Sequence, residues 1–257
     1  MTARQSLEDV SVGLLAPWRA LAFLARRPAS WRLALVPAGI ACAALVLLGA
    51  LFVHFAFRWV DGVIPPTRGA FLFLLRTTLQ LIALVVSTGV ALFASLTLAS
   101  PLSSASLDAL VRVYDAAVGA PPGPAVPWTQ GAARALASSL VGIAIGGPVA
   151  VLIAIVDLVV PAAAVVLVPL GTLVGGYVLA WNLLDYPLGL RGVTLGDRAR
   201  WMGRHAALVT GFAVSASTLL VLPGLGLLLL PAGVIGAAIV VDKGGIPGDQ
   251  RFRVKNA

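Results

Sequence analysis

The chain contains an apolar stretch from residue 139 to residue 184 that carries a single formal charge, Asp157. A helix that crosses the hydrocarbon core of a bilayer needs about 20 mostly apolar residues. These 46 residues are therefore long enough for two crossings. Pro161 lies near the middle, where its missing N–H group and fixed φ angle interrupt a helix. The pattern predicts a membrane-embedded helical hairpin that is broken at this proline.

Three further apolar stretches without a formal charge extend this prediction along the chain. Residues 33–57 and 77–98 are each long enough for one transmembrane helix. Residues 206–241 are divided near Pro223 into two halves, each of which spans roughly 25 Å as a helix. This second proline-broken hairpin either crosses the bilayer twice with minimal spans or enters one leaflet and returns. Both alternatives remain open at this point.

Residues 100–119 differ from the spans because apolar and polar side chains recur there at helical spacing. This spacing predicts an amphipathic helix that lies at the membrane surface or packs against a partner helix. The segments together predict an all-α integral membrane protein. It has two long transmembrane helices, two proline-broken helical hairpins and one amphipathic helix, within a single membrane domain over residues 1–257.

The composition supports a membrane protein and indicates its orientation. Hydrophobic residues make up 60% of the chain and charged residues 11%, against roughly 25% charged residues in soluble domains. The net charge of +8 is compatible with nucleic-acid binding, but the basic residues occupy short segments between apolar stretches, where they set membrane topology. If all stretches cross in turn, 15 of the 18 basic residues lie on the side of the termini. We therefore expect cytoplasmic termini and no nucleic-acid partner.

No constellation of residues points to catalysis. The chain lacks the GxSxG, HExxH, Walker-type GxxxxGK[ST] and CxxC patterns, and paired carboxylates suited to acid–base chemistry are missing. His54 and His205 are far apart in the sequence, and Cys42 is the one cysteine, so neither a histidine-based zinc cluster nor an intramolecular disulfide is supported. The sequence predicts a protein that is not an enzyme and needs no cofactor or metal.

The basic segment before the first span is a candidate for anion binding. Arg27 and Arg32 flank Pro28 and Ser30, which are residues that favour the start of a helix. A helix start offers unpaired N–H groups and the positive end of its dipole, which suit an oxyanion. We take Arg27, Ser30, Trp31 and Arg32 as the candidate anion-binding residues. The alternative is a topology signal beside anionic lipid, with Trp31 anchored at the interface.

Two acidic positions also suggest either function or structure. Asp157 is a candidate for an ion pathway because intramembrane carboxylates often relay protons or bind ions. Its position four residues before Pro161 equally suits a helix end at the interface. Asp185 precedes Tyr186 and Pro187 at the end of the fourth span, just before a segment with four arginines. It either pairs with a neighbouring arginine or lies at the mouth of an anion path.

Several of these blocks together resemble the CysZ-type sulfate permeases and their eukaryotic etoposide-induced relatives. The resemblance extends from about residue 15 to residue 242. The residues that carry it are Asp185, Tyr186, Pro187, Val193 and Leu195, then Pro223, Gly224, Pro231, Ala232, Gly236, Ala237 and Asp242, with Ser100, Pro101, Leu102 and Leu107 after the second span and Pro28 and Pro37 at the first.

The resemblance implies sulfate uptake that feeds cysteine synthesis, in the inner membrane of a bacterium, by a homo-oligomer with partly penetrating hairpins. The anion-binding loop of the family reads Pro-Gly-x-Arg-Arg. At the matching positions this chain keeps the second arginine as Arg32, but it has Trp31 in place of the first arginine and Ala29 in place of glycine. The implied ligand is therefore sulfate or a related oxyanion, held mainly by Arg32 with support from Arg27. The alternative function is a non-transport membrane scaffold or bilayer-shaping protein.

Overall fold

The computed structural model describes residues 3–64, 69–120, 127–160, 163–221 and 228–245. Within these ranges the regular structure is helical, without β-strands. The helices are α1 (Ala3–Ala25), α2 (Pro28–Val63), α3 (Ala70–Leu102), α4 (Ser104–Ala117), α5 (Trp128–Val159), α6 (Ala164–Leu190), α7 (Leu195–Arg204), α8 (Ala206–Val221) and α9 (Leu229–Gly244).

Helices α2, α3, α5 and α6 contain the segments that are long and apolar enough to cross a membrane. These segments are Pro28–Val63, Phe71–Leu102, Trp128–Asp157 and Val165–Leu190. Large apolar side chains along them face outward. Val46, Val85 and Val165, for example, are 70%, 72% and 81% exposed. Such a surface is unsuited to water and matches the environment of lipid tails. The chain is therefore an all-α membrane protein.

Helices α2 and α3 form a long hairpin that extends beyond the predicted spans 33–57 and 77–98. They contain 36 and 33 residues, or about 54 and 50 Å at 1.5 Å per residue. The near end of the hairpin is the end at which α2 begins, at Pro28. Here α2 buries small residues such as Ala34 and Ala41 against the rest of the protein. At the far end, Arg76 of α3 pairs with Asp61 of α2 at 2.7 Å. Protein packing and this ion pair thus support the helices beyond their apolar middle sections.

Helix α4 is shorter than the amphipathic segment 100–119 and is packed within the protein. Residues Ser100 to Leu102 belong to α3, and the N–H group of Ser103 closes that helix on the carbonyl of Ala99. The apolar face of α4, which includes Leu107 and Leu110, is buried and contacts α2, α5, α6 and α9. Of the two locations open from the sequence, the structure has α4 against partner helices.

Helix α9 lies at the centre of a helical core formed with α1, α4, α6 and α8. From Leu230 to Val241 its side chains are buried, apart from partial exposure at Ile239. Glycines bring the backbones of α1 and α8 together: a Cβ at Gly13 would overlap the Leu208 carbonyl, and one at Gly211 would overlap the Val10 carbonyl. Close backbone approach through glycine is a common way to pack helices in membranes.

The hairpin of α5 and α6 also packs through glycines, although not every glycine in it makes a contact. Gly142 and Gly146 of α5 face Val178 of α6: a Cβ at Gly146 would overlap one of its methyl groups, and a Cβ at Gly142 would be in tight contact with the other. Gly175, by contrast, faces open space, while its neighbour Gly176 touches α8. The hairpin breaks predicted at Pro161 and Pro223 lie outside the described residues. The flanking helices α8 and α9 have 16 residues each, about 24 Å.

Candidate functional site

Arg134 joins three helices at the near end of the two hairpins. From α5 its Nη2 atom donates to Asp108 Oδ1 of α4 at 2.9 Å, and its Nε atom donates to Asp185 Oδ2 of α6 at 3.1 Å. Gly189 makes this reach possible, because a Cβ there would lie 2.7 Å from Arg134 Cδ. The two carboxylates hold the guanidinium from two sides.

Arg198 extends the network to α7. Its Nη2 atom lies 3.0 Å from Asp185 Oδ1, and both side chains are only 2% exposed. Its Nη1 atom donates to Ser138 Oγ at 2.9 Å and to the Trp181 carbonyl at 3.1 Å. The guanidinium also lies 4.2 Å from the centre of the Trp181 ring, a cation–π arrangement. Arg198 thereby connects α7 with α5 and α6.

Local sequence explains why α7 presents this arginine. Thr194 caps the helix by accepting the N–H group of Asp197 at 3.2 Å, as expected for a threonine at this position. Helical spacing then turns Arg198 and Trp201 into the protein and leaves Arg200 exposed. The indole N–H of Trp201 donates to the Gly245 carbonyl at 2.7 Å. This bond ties α7 to the end of α9.

Two more contacts connect the end of α6 to its neighbours. Arg191 Nη2 donates to Asp115 Oδ1 at 2.9 Å, so α4 has a second carboxylate paired with an arginine. The Tyr186 hydroxyl donates to the Ser100 carbonyl at 2.9 Å and lies 2.6 Å from the Ser100 hydroxyl. The Ser100 carbonyl is in the last turn of α3, where intrahelical donors are missing. Tyr186 therefore replaces a donor that the helix itself lacks.

We refer to these ion-paired residues as the arginine–aspartate cluster: Asp108, Asp115, Asp185, Arg134, Arg191 and Arg198. Arg112, on the same helix as two of the aspartates, adds positive charge close to Asp108. The three carboxylates of the cluster balance its three guanidinium groups, and Asp242, whose charge acts on the neighbouring Tyr114, balances Arg112. Charges in low-dielectric surroundings interact more strongly than they do in water. The cluster thus concentrates strongly interacting charges at the base of the spans, which is the end where α5 begins and α6 ends.

Burial opposes the charged forms in this cluster. Desolvation raises the pKa of Asp108, although Arg134 and Arg112 act against this shift. Desolvation also lowers the pKa of Arg198, and the charge of Asp185 opposes that change. Burial together with nearby carboxylates raises the pKa of Tyr114 to about 12. The attraction between opposite charges therefore only partly offsets the cost of removing these groups from water.

Polar atoms without partners lie beside Asp108 and between α5 and α6. Among the described residues, Ser104 Oγ and Asn182 Oδ1 are buried and have no hydrogen-bond partner. Ser104 Oγ and Asp108 Oδ2 each lie 3.4 Å from the position of a Cβ at Gly131, so the missing side chain leaves space between them. Unsatisfied buried polar atoms are uncommon in native proteins and often indicate a bound water, ion or functional role.

The predicted anion-binding residues lie at the start of α2. Arg27 is the N-cap residue, and its guanidinium lies 4.7 Å from the ring centre of Phe23. Ser30 is buried, and its backbone N–H donates to the Arg27 carbonyl at 2.9 Å. Trp31 is half-buried and Arg32 exposed. Within the described residues Arg32 forms no ion pair, and the assignment of an anion site here stays a prediction.

Asp157 lies at the other end of α5 from the cluster. It is separated from Arg134 by about 35 Å of helix. The side chain is half-buried, and in the described part of the chain its Oδ1 atom is buried without a hydrogen-bond partner. The structure therefore does not bring Asp157 together with the arginines, and its role in an ion pathway stays a prediction.

Sequence reasoning singled out Asp185 and Tyr186 but missed Arg134, Arg198 and Asp108. A usable signal was present, because charged residues amount to only 11% of the chain. Any charge within a mostly apolar helix is costly unless it is paired. That argument selects the residues, but it does not say which of them pair with one another.

The helices and the buried cluster define a multi-pass helical membrane protein with a charged centre at the base of its spans. A family model described as "Sulfate transporter CysZ/Etoposide-induced protein 2.4" matches residues 16–231, well over half of the chain. The protein therefore belongs to the family of the sulfate transporter CysZ and etoposide-induced protein 2.4, as the resemblance in its sequence indicated. A search of curated proteins gave no match.

Proposed function

We propose that the protein is a permease or channel for sulfate or a related oxyanion and supports sulfate assimilation and cysteine synthesis. The observation that carries this proposal is its membership of the CysZ family over residues 16–231. The proposed setting is the inner membrane of a bacterium, with both termini cytoplasmic and the protein a homo-oligomer. Transport without a chemical step accords with the absence of catalytic motifs in the sequence.

The charge distribution supports an anionic substrate. The chain has 18 basic and 10 acidic residues, and arginines lie at the base of both long hairpins. A guanidinium binds the oxygens of a tetrahedral oxyanion with parallel hydrogen bonds, which a compact ammonium cannot reproduce. We propose that Arg32 and Arg27 receive the anion at the start of α2.

Radiolabelled sulfate uptake into proteoliposomes tests the proposal. Intact protein should give flux above that of empty vesicles, and Arg32→Ala should weaken oxyanion binding by about 1–3 kcal/mol, the scale of a charged hydrogen bond. Arg200→Ala is the matched control, because Arg200 is also exposed but pairs with Asp197 on the surface of α7. Flux that is equal in protein-containing and empty vesicles, with insertion verified, would exclude sulfate transport.

A membrane scaffold is the second candidate function, and two observations favour it. Arg134, Arg191 and Arg198 are each paired with a carboxylate, as expected if these charges only fasten helices together. The loop before α2 also departs from the family pattern at Ala29 and Trp31. A protein that shows no flux of sulfate, sulfite or thiosulfate but deforms vesicles on reconstitution would support the scaffold.

A further inference from the structure

An apolar groove runs between α2 and α3 on the side away from the arginine–aspartate cluster. It has a volume of about 400 Å³. Its walls are formed by Phe52, Ala56, Trp59 and Val60 of α2 and by Leu79, Ile82, Ala83, Val86, Ser87 and Val90 of α3. The only hydroxyl in this set, that of Ser87, donates to the Ala83 carbonyl within its own helix. The groove therefore offers no hydrogen bond to a polar ligand.

The dimensions of the groove match one hydrocarbon chain. From Leu79 to Val90 it extends along about 16 Å of α3, close to half of a hydrocarbon core of about 30 Å. Carbon–carbon contacts of 3.5–4.0 Å allow a single methylene chain in this space.

One end of the groove is polar and cationic. Asp61 Oδ1 accepts from Arg76 Nη2 at 2.7 Å and from Gln80 Nε2 at 3.2 Å. Arg76 precedes Leu79 and Ala83 on the same face of α3 and stays 27% exposed. Arg58, one turn before Asp61, is also exposed. These two arginines and one aspartate leave a net positive charge where the groove ends.

We propose that this groove holds one acyl chain of a phospholipid, with the phosphate of its headgroup at Arg76. The groove is apolar along a length of about one leaflet and ends at a cation. This order matches a phospholipid, whose apolar tail ends at an anionic phosphate. The exposed Trp59 at the same end suits the interface between tails and headgroups. The bound lipid fills the groove beside the contact that α2 and α3 already make with each other. This inference is independent of the transported substrate.

Native mass spectrometry of the full chain in detergent, titrated with palmitoyl-oleoyl phosphatidylglycerol, tests the proposal. Wild-type protein should retain one lipid after mild activation. Ala83→Leu fills the groove from α3 and should weaken that binding at least tenfold. Ala56→Leu does the same from α2 and serves if the first variant folds poorly. Ala50→Leu, on an exposed part of α2 outside the groove, is the matched control and should change binding less than twofold.

Three further outcomes would count against the proposal. Unchanged lipid binding in both folded groove variants would overturn the proposal. A groove variant that alters the fraction of dimers, with no effect on lipid retention, would also overturn it and assign the groove to a second copy. Diacylglycerol with the same chains should bind at least tenfold more weakly than phosphatidylglycerol. Equal binding of the two lipids would refute the role of Arg76 in holding the headgroup.

Discussion

Replacing Asp185 by asparagine is the sharpest test of how the helices are held together. The carboxylate lies 3.0 Å from Arg198 Nη2 and 3.1 Å from Arg134 Nε. Asp185 and Arg198 are both 2% exposed. Asparagine keeps the shape of the side chain but removes its charge, so Arg198 stays buried without a counter-charge. Removing one partner of a buried ion pair costs about 3–5 kcal/mol.

The corresponding change in melting temperature is large enough to measure in detergent. For a protein of this size, 1 kcal/mol corresponds to about 2–4 °C, so Asp185→Asn should lower the melting temperature by about 6–20 °C. Tryptophan fluorescence during heating reports the transition. Asp197→Asn is the control, because its ion pair with Arg200 is exposed and such pairs contribute about 0–1 kcal/mol. Equal shifts in the two variants would refute the view that the cluster stabilises the base of the spans.

Three other substitutions test different parts of the structure. Gly211→Ala should lower the melting temperature, since its Cβ would overlap the backbone of α1 and overpacking costs about 1–3 kcal/mol; Gly39→Ala, with nothing within 4 Å, should not. Burial raises the pKa of Asp108 above 3.8, so at mildly acidic pH the folded protein binds a proton at this carboxyl more readily than the unfolded chain does. Wild type should therefore gain stability relative to Asp108→Asn as the pH falls from 7 toward 4. Melting temperatures of the two proteins that change in parallel with pH would contradict this. Tyr186→Phe should cost about 1–3 kcal/mol, measured as a lower melting temperature, by leaving the Ser100 carbonyl without its donor.

The two candidate functions make different demands on the same arginines. In a scaffold, an arginine that is paired with a carboxylate has only a structural role, so its replacement changes only the stability of the protein. For a permease, an arginine near the path also sets the potential that an entering oxyanion meets. Arg134→Lys separates the two, because lysine keeps the charge but cannot bond Asp108 and Asp185 as a planar fork. Normal stability combined with lost flux would favour transport.

Much of the architecture is determined by local sequence properties. A stretch of about 20 apolar residues must satisfy its backbone hydrogen bonds internally within lipid, and a helix does so for any suitable sequence. Residues 33–57 and 77–98 therefore predicted helices directly, and the structure contains α2 and α3 over them. Family membership could also be read from short blocks such as Asp185-Tyr186-Pro187, because those residues are adjacent in the chain.

The tertiary structure decided what depends on contacts between distant segments. Asp108, Arg134 and Arg198 are separated by 26 and 64 residues, and no periodicity relates α4, α5 and α7 across such distances. Gly175 and Gly176 are adjacent in α6, yet Gly175 meets open space and Gly176 makes the close contact with α8. Hydropathy describes how each helix partitions between water and lipid. The pairing of charges depends instead on how helices rotate and lean against one another, and only the folded chain specifies that.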